Sequence, residues 1–465
     1  MVVERIKNYV ETQKKDIIDD CIEIINIPSI SHDYGEVKKA LHLIIDKAKS
    51  MGFDAYCTEN DSIGIVEFGH GEETIGVLVH IDVVPAGDEN DWDNPPFSSV
   101  YKDGYIWGRG SVDDKGPAIA SLYALKTLKE LGFTPSKKIR MIIGTQEEVD
   151  WKDIKTYKEH NELPDYGFTP DGEFPIINAE KGFAQVNVNF RRNNCTGDFD
   201  VISFDGGISD NVIPPKANII IKGDKQLLNE KVNSFVLSRP EYADKIIIEE
   251  QGENINIKTV GKAAHSSVPE LGINAIYILV ELLSTLELKD EGMRQLIDFS
   301  MKEIINNKNK NPLNLDKTDD ETRTSIAATL ARCTSDEYTI AFNLRMALKT
   351  FGSDVEKCFS IAADKYKFDF NMDNFCMEPI SVNKDTPFLR QMAKAYEELS
   401  GLKAEFITSG GTSYAKAMPN TVSFGPIFPG EIDLCHQNNE RISLDNLVKC
   451  INMYAYLLYL TAVEK

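Results

Sequence analysis

A chain of 465 residues, 42% of them apolar and 27% charged, has the composition of a folded protein of two or three structural units, which excludes a disordered or collagenous chain. Its 73 acidic residues against 51 basic ones leave a formal charge of −22, which opposes phosphate backbones and anionic lipid, so neither nucleic acid nor a membrane is an expected partner. The charged amino terminus lacks the apolar core of a secretory signal, no window holds the ~20 apolar residues that span a bilayer, and the eight cysteines include no C-x-x-C pair. These features together predict a cytoplasmic protein with free thiols.

The first helical pattern falls at Glu36–Met51. Thr74-Ile-Gly-Val-Leu-Val-His80 then reads as a strand buried on both faces. From Pro117 to Leu131, apolar residues at Ile119, Leu122, Leu125, Leu128 and Leu131 mark an amphipathic helix, with Gly132 just past its end. Ile139–Ile143 is a second buried strand. Strand, helix and strand in this order predict an α/β fold with a mixed, largely parallel sheet flanked by helices, whose ligands gather at the carboxyl ends of the strands. From about Gly182 the pattern changes to alternating strands at Ala184–Phe190, Ala217–Lys222, Ile246–Glu249 and Ile255–Val260, with two long helical stretches. Residues 182–379 are accordingly expected to form an inserted α+β domain, dividing a first domain into 1–181 and 380–465. The second part carries a helix at Phe388–Ser400, a strand at Thr421–Phe424, a Gly/Pro loop and a closing helix from Ser443 to about Val463.

The candidate chemistry lies where strands end. His80 and Asp82 alternate on an extended chain and share a face, which suits a metal-ligating imidazole whose other N–H is held by the carboxylate. A satisfied, partly buried histidine explains the pair equally. In Gly108-Arg-Gly-Ser-Val-Asp-Asp-Lys-Gly116, a strand-to-helix turn can hold the Asp113 carboxylate outward as a bridge between two cations, whereas Asp114 also suits the helix start. Adjacent carboxylates in Thr145-Gln-Glu-Glu148 repel unless cations offset the repulsion or one is protonated. Glu148 is the candidate ligand and Glu147 the candidate proton carrier; a solvated turn is the alternative. Phe168-Thr-Pro-Asp171 and His436-Gln-Asn-Asn-Glu440 add Asp171 and His436, uninformative alone and completing a ligand set together. An aspartic dyad of Asp113 and Asp114 is excluded, because neighbours in sequence do not present facing carboxylates.

This order of motifs, H-x-D, G-R-G-x-x-D-D-K-G, T-x-E-E, T-P-D and H-Q-x-N-E, with Gly261-Lys-Ala-Ala-His-Ser-Ser-Val-Pro-Glu270 in the insert, resembles the co-catalytic zinc peptidases related to carboxypeptidase G, succinyl-diaminopimelate desuccinylase and aminoacylase. Within them it looks most like the bacterial dipeptidase V type, the carnosinase-like Xaa-His dipeptidases. The resemblance implies His80 and Asp171 as ligands of one divalent ion, Glu148 and His436 of a second, and Asp113 as the bridge. It further implies Asp82 as the orienter of His80, Glu147 as general base, His265 as an oxyanion-stabilising imidazole on a lid, Asn211 as a substrate contact, and Arg345 as the clamp of a substrate carboxylate. Zinc is the implied metal, and a His/carboxylate set also accepts manganese or cobalt. The implied reaction is hydrolysis of small unblocked dipeptides by a water activated between the two ions. A monomer is expected, since the insert supplies His265 in cis. An N-acyl-amino-acid deacylase with the same centre is the nearest rival. A non-catalytic metal scaffold is a further one, and the presence of Glu147 counts against it. Gly410-Gly-Thr-Ser-Tyr-Ala-Lys416 departs from the G-G-G-T-Y-x-R of similar dipeptidases at Thr412 and Lys416; its Gly410, Gly411 and Ser413 are the expected substrate-loop residues.

Overall fold

The run Thr74–His80 forms a strand buried from Ile75 onward, as an unbroken aliphatic segment requires when both faces of a sheet are covered. The structure is a computed structural model that describes residues 2–58, 60–308, 310–318, 320, 322–373 and 376–463. Among these residues the sheet order is Asp54–Cys57, Gly64–Phe68, Lys138–Gly144, Thr74–His80, Tyr166–Thr169, Thr421–Ser423, Ile176–Glu180 and Ile380–Ser381, with Phe406–Ser409 also paired to Ile176–Glu180. The four strands from Lys138–Gly144 to Thr421–Ser423 run parallel, and the hairpin of Asp54–Cys57 and Gly64–Phe68 joins antiparallel. The fold is therefore α/β with a mixed, largely parallel sheet, as expected.

Parallel register fixes where the site forms. His80 aligns with Gly144, Val77 with Phe168, and Ser423 with Thr169, so the loops after these strands leave from one edge of the sheet.

The helix predicted from Pro117 begins earlier and spans Lys115–Glu130. Proline is tolerated there because the first turn's N–H groups have no intrahelical acceptor to lose. Asp114 occupies the N-cap position but makes no side-chain capping bond. Other starts follow their expected chemistry. The Asp33 side chain accepts from Gly35 and Glu36 ahead of Tyr34–Ser50, Thr386 caps Pro387–Ser400, and Ser443 caps Leu444–Ala462. Two further helices, Val2–Thr12 and Lys14–Ile25, bury Ile6, Val10, Ile17, Cys21, Ile24 and Ile25.

The chain divides into two compact units. One comprises the chain up to Ala179 together with the chain from Ser381 onward, and the other is Glu180–Ile380. The second holds an antiparallel sheet ordered Ile246–Gln251, Asn254–Val260, Lys216–Lys222, Asp200–Gly206, Ser325–Cys333, Glu337–Met346, Gly182–Arg191 and Asp369–Met372 among the described residues. Phe299 closes its core, with ring centroids 4.9 Å from Phe368, 5.8 Å from Phe342 and 6.2 Å from Phe190. Among the described residues no helix is long and apolar enough to cross a membrane.

Phe299 is fully buried, so Phe299→Ala removes a ring that its neighbours cannot replace. The expected cost is about 3–5 kcal/mol of unfolding free energy, read from urea denaturation. A loss below about 1 kcal/mol would contradict this packing.

Candidate active site

His80 is 1% exposed and its backbone N–H donates to Oδ2 of Asp114 at 3.1 Å. Its Nδ1 lies 2.9 Å from the carbonyl of Asp82, and the Asp82 carboxylate is farther, at 3.5 Å. A carbonyl only accepts, so Nδ1 carries the proton and, in the neutral ring, Nε2 holds the lone pair. The sequence pattern gives this orienting role to the Asp82 carboxylate. In the structure the backbone carbonyl is the nearer partner, and the carboxylate, within ion-pair reach of the same nitrogen, also accepts from the backbone N–H groups of Glu147 at 3.1 Å and Glu148 at 3.3 Å. Asp82 thus ties the end of one strand to the turn after its neighbour.

Asp113 faces two imidazoles, one with each oxygen. Oδ1 lies 2.9 Å from Nε2 of His80 and Oδ2 lies 3.0 Å from Nε2 of His436. His436 also reaches Oε1 of Glu148 at 3.1 Å, and Asp171 places Oδ2 4.0 Å from Nε2 of His80. Two overlapping groups, His80 with Glu147 and Asp171, and His80 with Asp113 and Glu148, each hold their donor atoms within 4.8 Å of one another. Oε1 of Glu147 is buried with no hydrogen-bond partner among the described residues.

The electrostatics arise from this crowding. Burial, then Asp171, raises the pKa of Glu147 well above the carboxylate range. Burial acts in the same sense on Asp113, but its bonds to His436 and His80 outweigh that and hold it low. For His436, burial opposes the charged ring, yet Asp113 and Glu148 push its pKa up to about 12. Four carboxylates and two imidazoles converging in this way form a hard-to-borderline donor set that fits divalent cations such as zinc, manganese or cobalt.

Sequence reasoning assigned no role to the residues that brace this cluster. Trp151 adopts φ 56° and donates Nε1–H to the Glu147 carbonyl at 2.7 Å. Oδ2 of Asp153 accepts from Thr145 N–H at 2.6 Å, Gln146 N–H at 3.0 Å and the Tyr414 hydroxyl at 2.7 Å. Tyr414 also sets its ring edge-on to Trp151 and His80, with centroids 5.1 and 6.3 Å away. A Cβ at position 144 would lie 2.3 Å from the Tyr414 hydroxyl, which is why glycine ends that strand. The Gly-rich segment is therefore anchored beneath the Glu147 turn. Within it, Gly411 N–H donates to Ser409 Oγ at 2.9 Å, and Ser413 Oγ is 3.0 Å from Ser423 Oγ while accepting from Ala415 N–H at 3.2 Å. Ser413 thus links its loop to the strand Thr421–Ser423.

Three expected site residues, Asn211, His265 and Arg345, belong to the second unit. Val212 pairs with His265, and Ser266 N–H donates to the Asn211 carbonyl at 2.8 Å, which brings these two segments together. Nδ1 of His265 lies 2.6 Å from Ser267 Oγ. Arg345 lies on the strand Glu337–Met346, its guanidinium 5.0 Å from the centre of the Phe183 ring. Burial lowers its pKa to about 10.

The model of peptidase family M20/M25/M40 matches residues 76–460. Over 463 residues, 96% of this chain and 97% of its relative, the sequence is 34% identical to "Putative dipeptidase YtjP" of Bacillus subtilis (strain 168). In fold it is similar to human carnosine dipeptidase 1, with a TM-score of 0.61 at 16% identity over 98% of each chain. It is also similar to aminoacylhistidine dipeptidase from Vibrio alginolyticus, with a TM-score of 0.59 at 14% identity over 96% of each.

Tyr414→Phe keeps the ring packing and deletes one bond to a buried carboxylate. The expected loss is about 1.5–3 kcal/mol of unfolding free energy, measured by denaturation. An unchanged midpoint would show that the bond to Asp153 contributes nothing.

Proposed function

This chain belongs to peptidase family M20/M25/M40 and is a metallopeptidase, and we propose that it cleaves the peptide bond of small unblocked dipeptides with two divalent ions and Glu147 as general base. The observation that carries this reading is Asp113, whose two oxygens address His80 and His436 separately at 2.9 and 3.0 Å. On this assignment His80 and Asp171 hold one ion, Glu148 and His436 the other, and Asp113 both. Zinc is the proposed metal.

When bound, such a pair of ions supplies Lewis acidity and lowers the pKa of water. The side chains do the rest. Glu147 takes the proton from the attacking water and returns it to the leaving amine, a role suited to a buried carboxyl with an unpaired oxygen. Asp82 keeps Glu147 and Glu148 in register through their N–H groups, and its carbonyl fixes the tautomer of His80. Loop Gly410–Gly411 offers backbone to the substrate, and Ser413, whose hydroxyl also accepts from Ala415 N–H, contributes to the same substrate loop. Lys416, in place of an arginine fork, lends a point charge there.

The second unit is proposed to act as a lid. His265 donates to the oxyanion, Asn211 contacts substrate, and Arg345 binds the free carboxylate one residue past the scissile bond. A clamp on a carboxylate one residue past the scissile bond restricts substrates to very short peptides. Since His265 lies on the same chain, the monomer is proposed to be competent. A cytoplasmic location suits the salvage of peptide-derived amino acids.

The test is a panel of unblocked dipeptides beside matched N-acetyl amino acids, assayed after chelation and after addition of zinc, manganese or cobalt. Metal-dependent turnover of dipeptides is expected, with Glu147→Ala lowering kcat about 10²–10⁴-fold. Preference for the N-acetyl series would replace this reading with a deacylase, and silence on every compound with metal still bound would leave a scaffold. Arg345→Ala is expected to raise KM for dipeptides about 10–100-fold, the equivalent of one charge-assisted hydrogen bond, with a smaller change in kcat. An unchanged KM would remove the clamp from the scheme.

A further inference from the structure

One buried ion pair next to the metal-ligand cluster has no part in the reaction described above. Arg109 and Glu440 are 2% and 0% exposed, with Nη1 2.8 Å from Oε2. Glu440 also gathers backbone N–H groups, from Gly110 at 3.0 Å to each oxygen, and from Val112 at 2.8 Å and Asp113 at 3.2 Å to Oε1. Its own carbonyl accepts from Gly108 N–H at 3.0 Å. Arg109 extends the pattern outward. Nη1 donates to the carbonyl of Gln437 at 3.2 Å, Nη2 to that of Pro85 at 3.4 Å, and the guanidinium lies 5.1 Å from the centre of the Trp92 ring.

These backbone partners lie on the segments that carry residues of the cluster, within five positions of His80, Asp113 or His436. Gln437 is next to His436, Pro85 lies three residues beyond Asp82, and the N–H groups taken by Glu440 end at Asp113 itself. Desolvation offsets most of the attraction within a buried ion pair, so such a pair is a poor source of net stability. What it does supply is a fixed, planar set of hydrogen bonds joining three loops.

We propose that Arg109 and Glu440 are positioning residues that hold the loops of His80, Asp113 and His436 at their working separation in the metal-free protein, so that a divalent cation meets ligands already in place. The proposal rests on the assignment of those three residues as ligands.

Hydrogen exchange on the chelator-treated wild-type protein is the primary test. The N–H groups of Gly110, Val112 and Asp113 are expected to be protected as strongly as those of strand Thr74–His80, with little further change when zinc is added. Exchange at loop rates until zinc arrives would overturn the proposal. Two variants supply the second readout. Glu440→Gln is isosteric without the charge, and Arg109→Lys keeps the charge without the fork. Cobalt titration of each is expected to show affinity about 10–100-fold weaker than wild type and an altered visible spectrum, in a protein whose metal-free form still melts cooperatively. Wild-type affinity and spectrum in a folded variant would overturn the proposal, whatever its melting temperature. Should neither variant fold, the exchange result decides. If His436→Ala binds cobalt as wild type does, the ligand assignment fails instead, and the exchange result shows separately whether the loops are held.

Discussion

The controlling constraint is the repulsion among carboxylates gathered at the carboxyl edge of a parallel sheet. Asp82, Asp113, Asp114 and Glu440 are all under a tenth exposed, as is Asp153 nearby, and burying a charge without a partner costs several kcal/mol. The structure resolves this by sorting the carboxylates into two kinds. Asp82, Asp114, Asp153 and Glu440 accept backbone N–H groups, from Glu147 and Glu148, from His80, from Thr145 and Gln146, and from Gly110, Val112 and Asp113 respectively. Through these bonds they act as fasteners between segments, although Oδ1 of Asp114 is buried without a hydrogen-bond partner among the described residues. Asp113, Glu147, Glu148 and Asp171 lie instead toward the imidazoles or one another, and a cation at their centre or a proton on one of them relieves that arrangement. Which carboxylates serve as fasteners and which stay available is therefore decided by the backbone.

The sheet makes this sorting possible. In parallel register His80 ends level with Gly144, and Tyr166–Thr169 runs in the same direction beside them, so successive loops leave from one edge and a short side chain from one reaches the N–H groups of the next. Gly144 lets the Tyr414 hydroxyl approach Asp153 behind the Glu147 turn. An antiparallel sheet, with alternate strands ending at opposite edges, would scatter the same loops.

Much of this was legible in the sequence, and the reason differs from element to element. Thr74–His80 is recognisable because a doubly covered strand has to be apolar throughout, and its polar end marks the site. His80, Asp113, Glu147, Glu148, Asp171 and His436 are recognisable as a set, because few other chemistries need those residue types in that order. The fasteners were not legible. Glu440 finds Gly110 across 330 positions, and Asp153 resembles any acidic residue in the first turn of a helix, as it is in Lys152–His160. Asp114 has the sequence signature of an N-cap, yet its carboxylate goes to His80 N–H, a choice made by tertiary contact and not by local propensity. The H-x-D spacing puts Asp82 beside His80, but the sharing of bonds between its carbonyl and its carboxylate depends on a turn 65 positions away.

Chain order adds a consequence. The second unit, Glu180–Ile380, interrupts the first in sequence and completes its own sheet from strands within that span. The first unit is closed only by the chain from Ser381 onward, since Thr421–Ser423 must pair with Tyr166–Thr169 before the loop carrying His436 and Glu440 has an edge to leave from. Glu440 then supplies acceptors to the turn before Lys115–Glu130, a segment made more than three hundred residues earlier. The pieces that bear Asp113 and His436 thus become one site through the same contacts that close the fold. The candidate cation site, assembled from both ends of the chain, therefore depends on the finished unit, and a partly folded chain presents its carboxylates to water, separately.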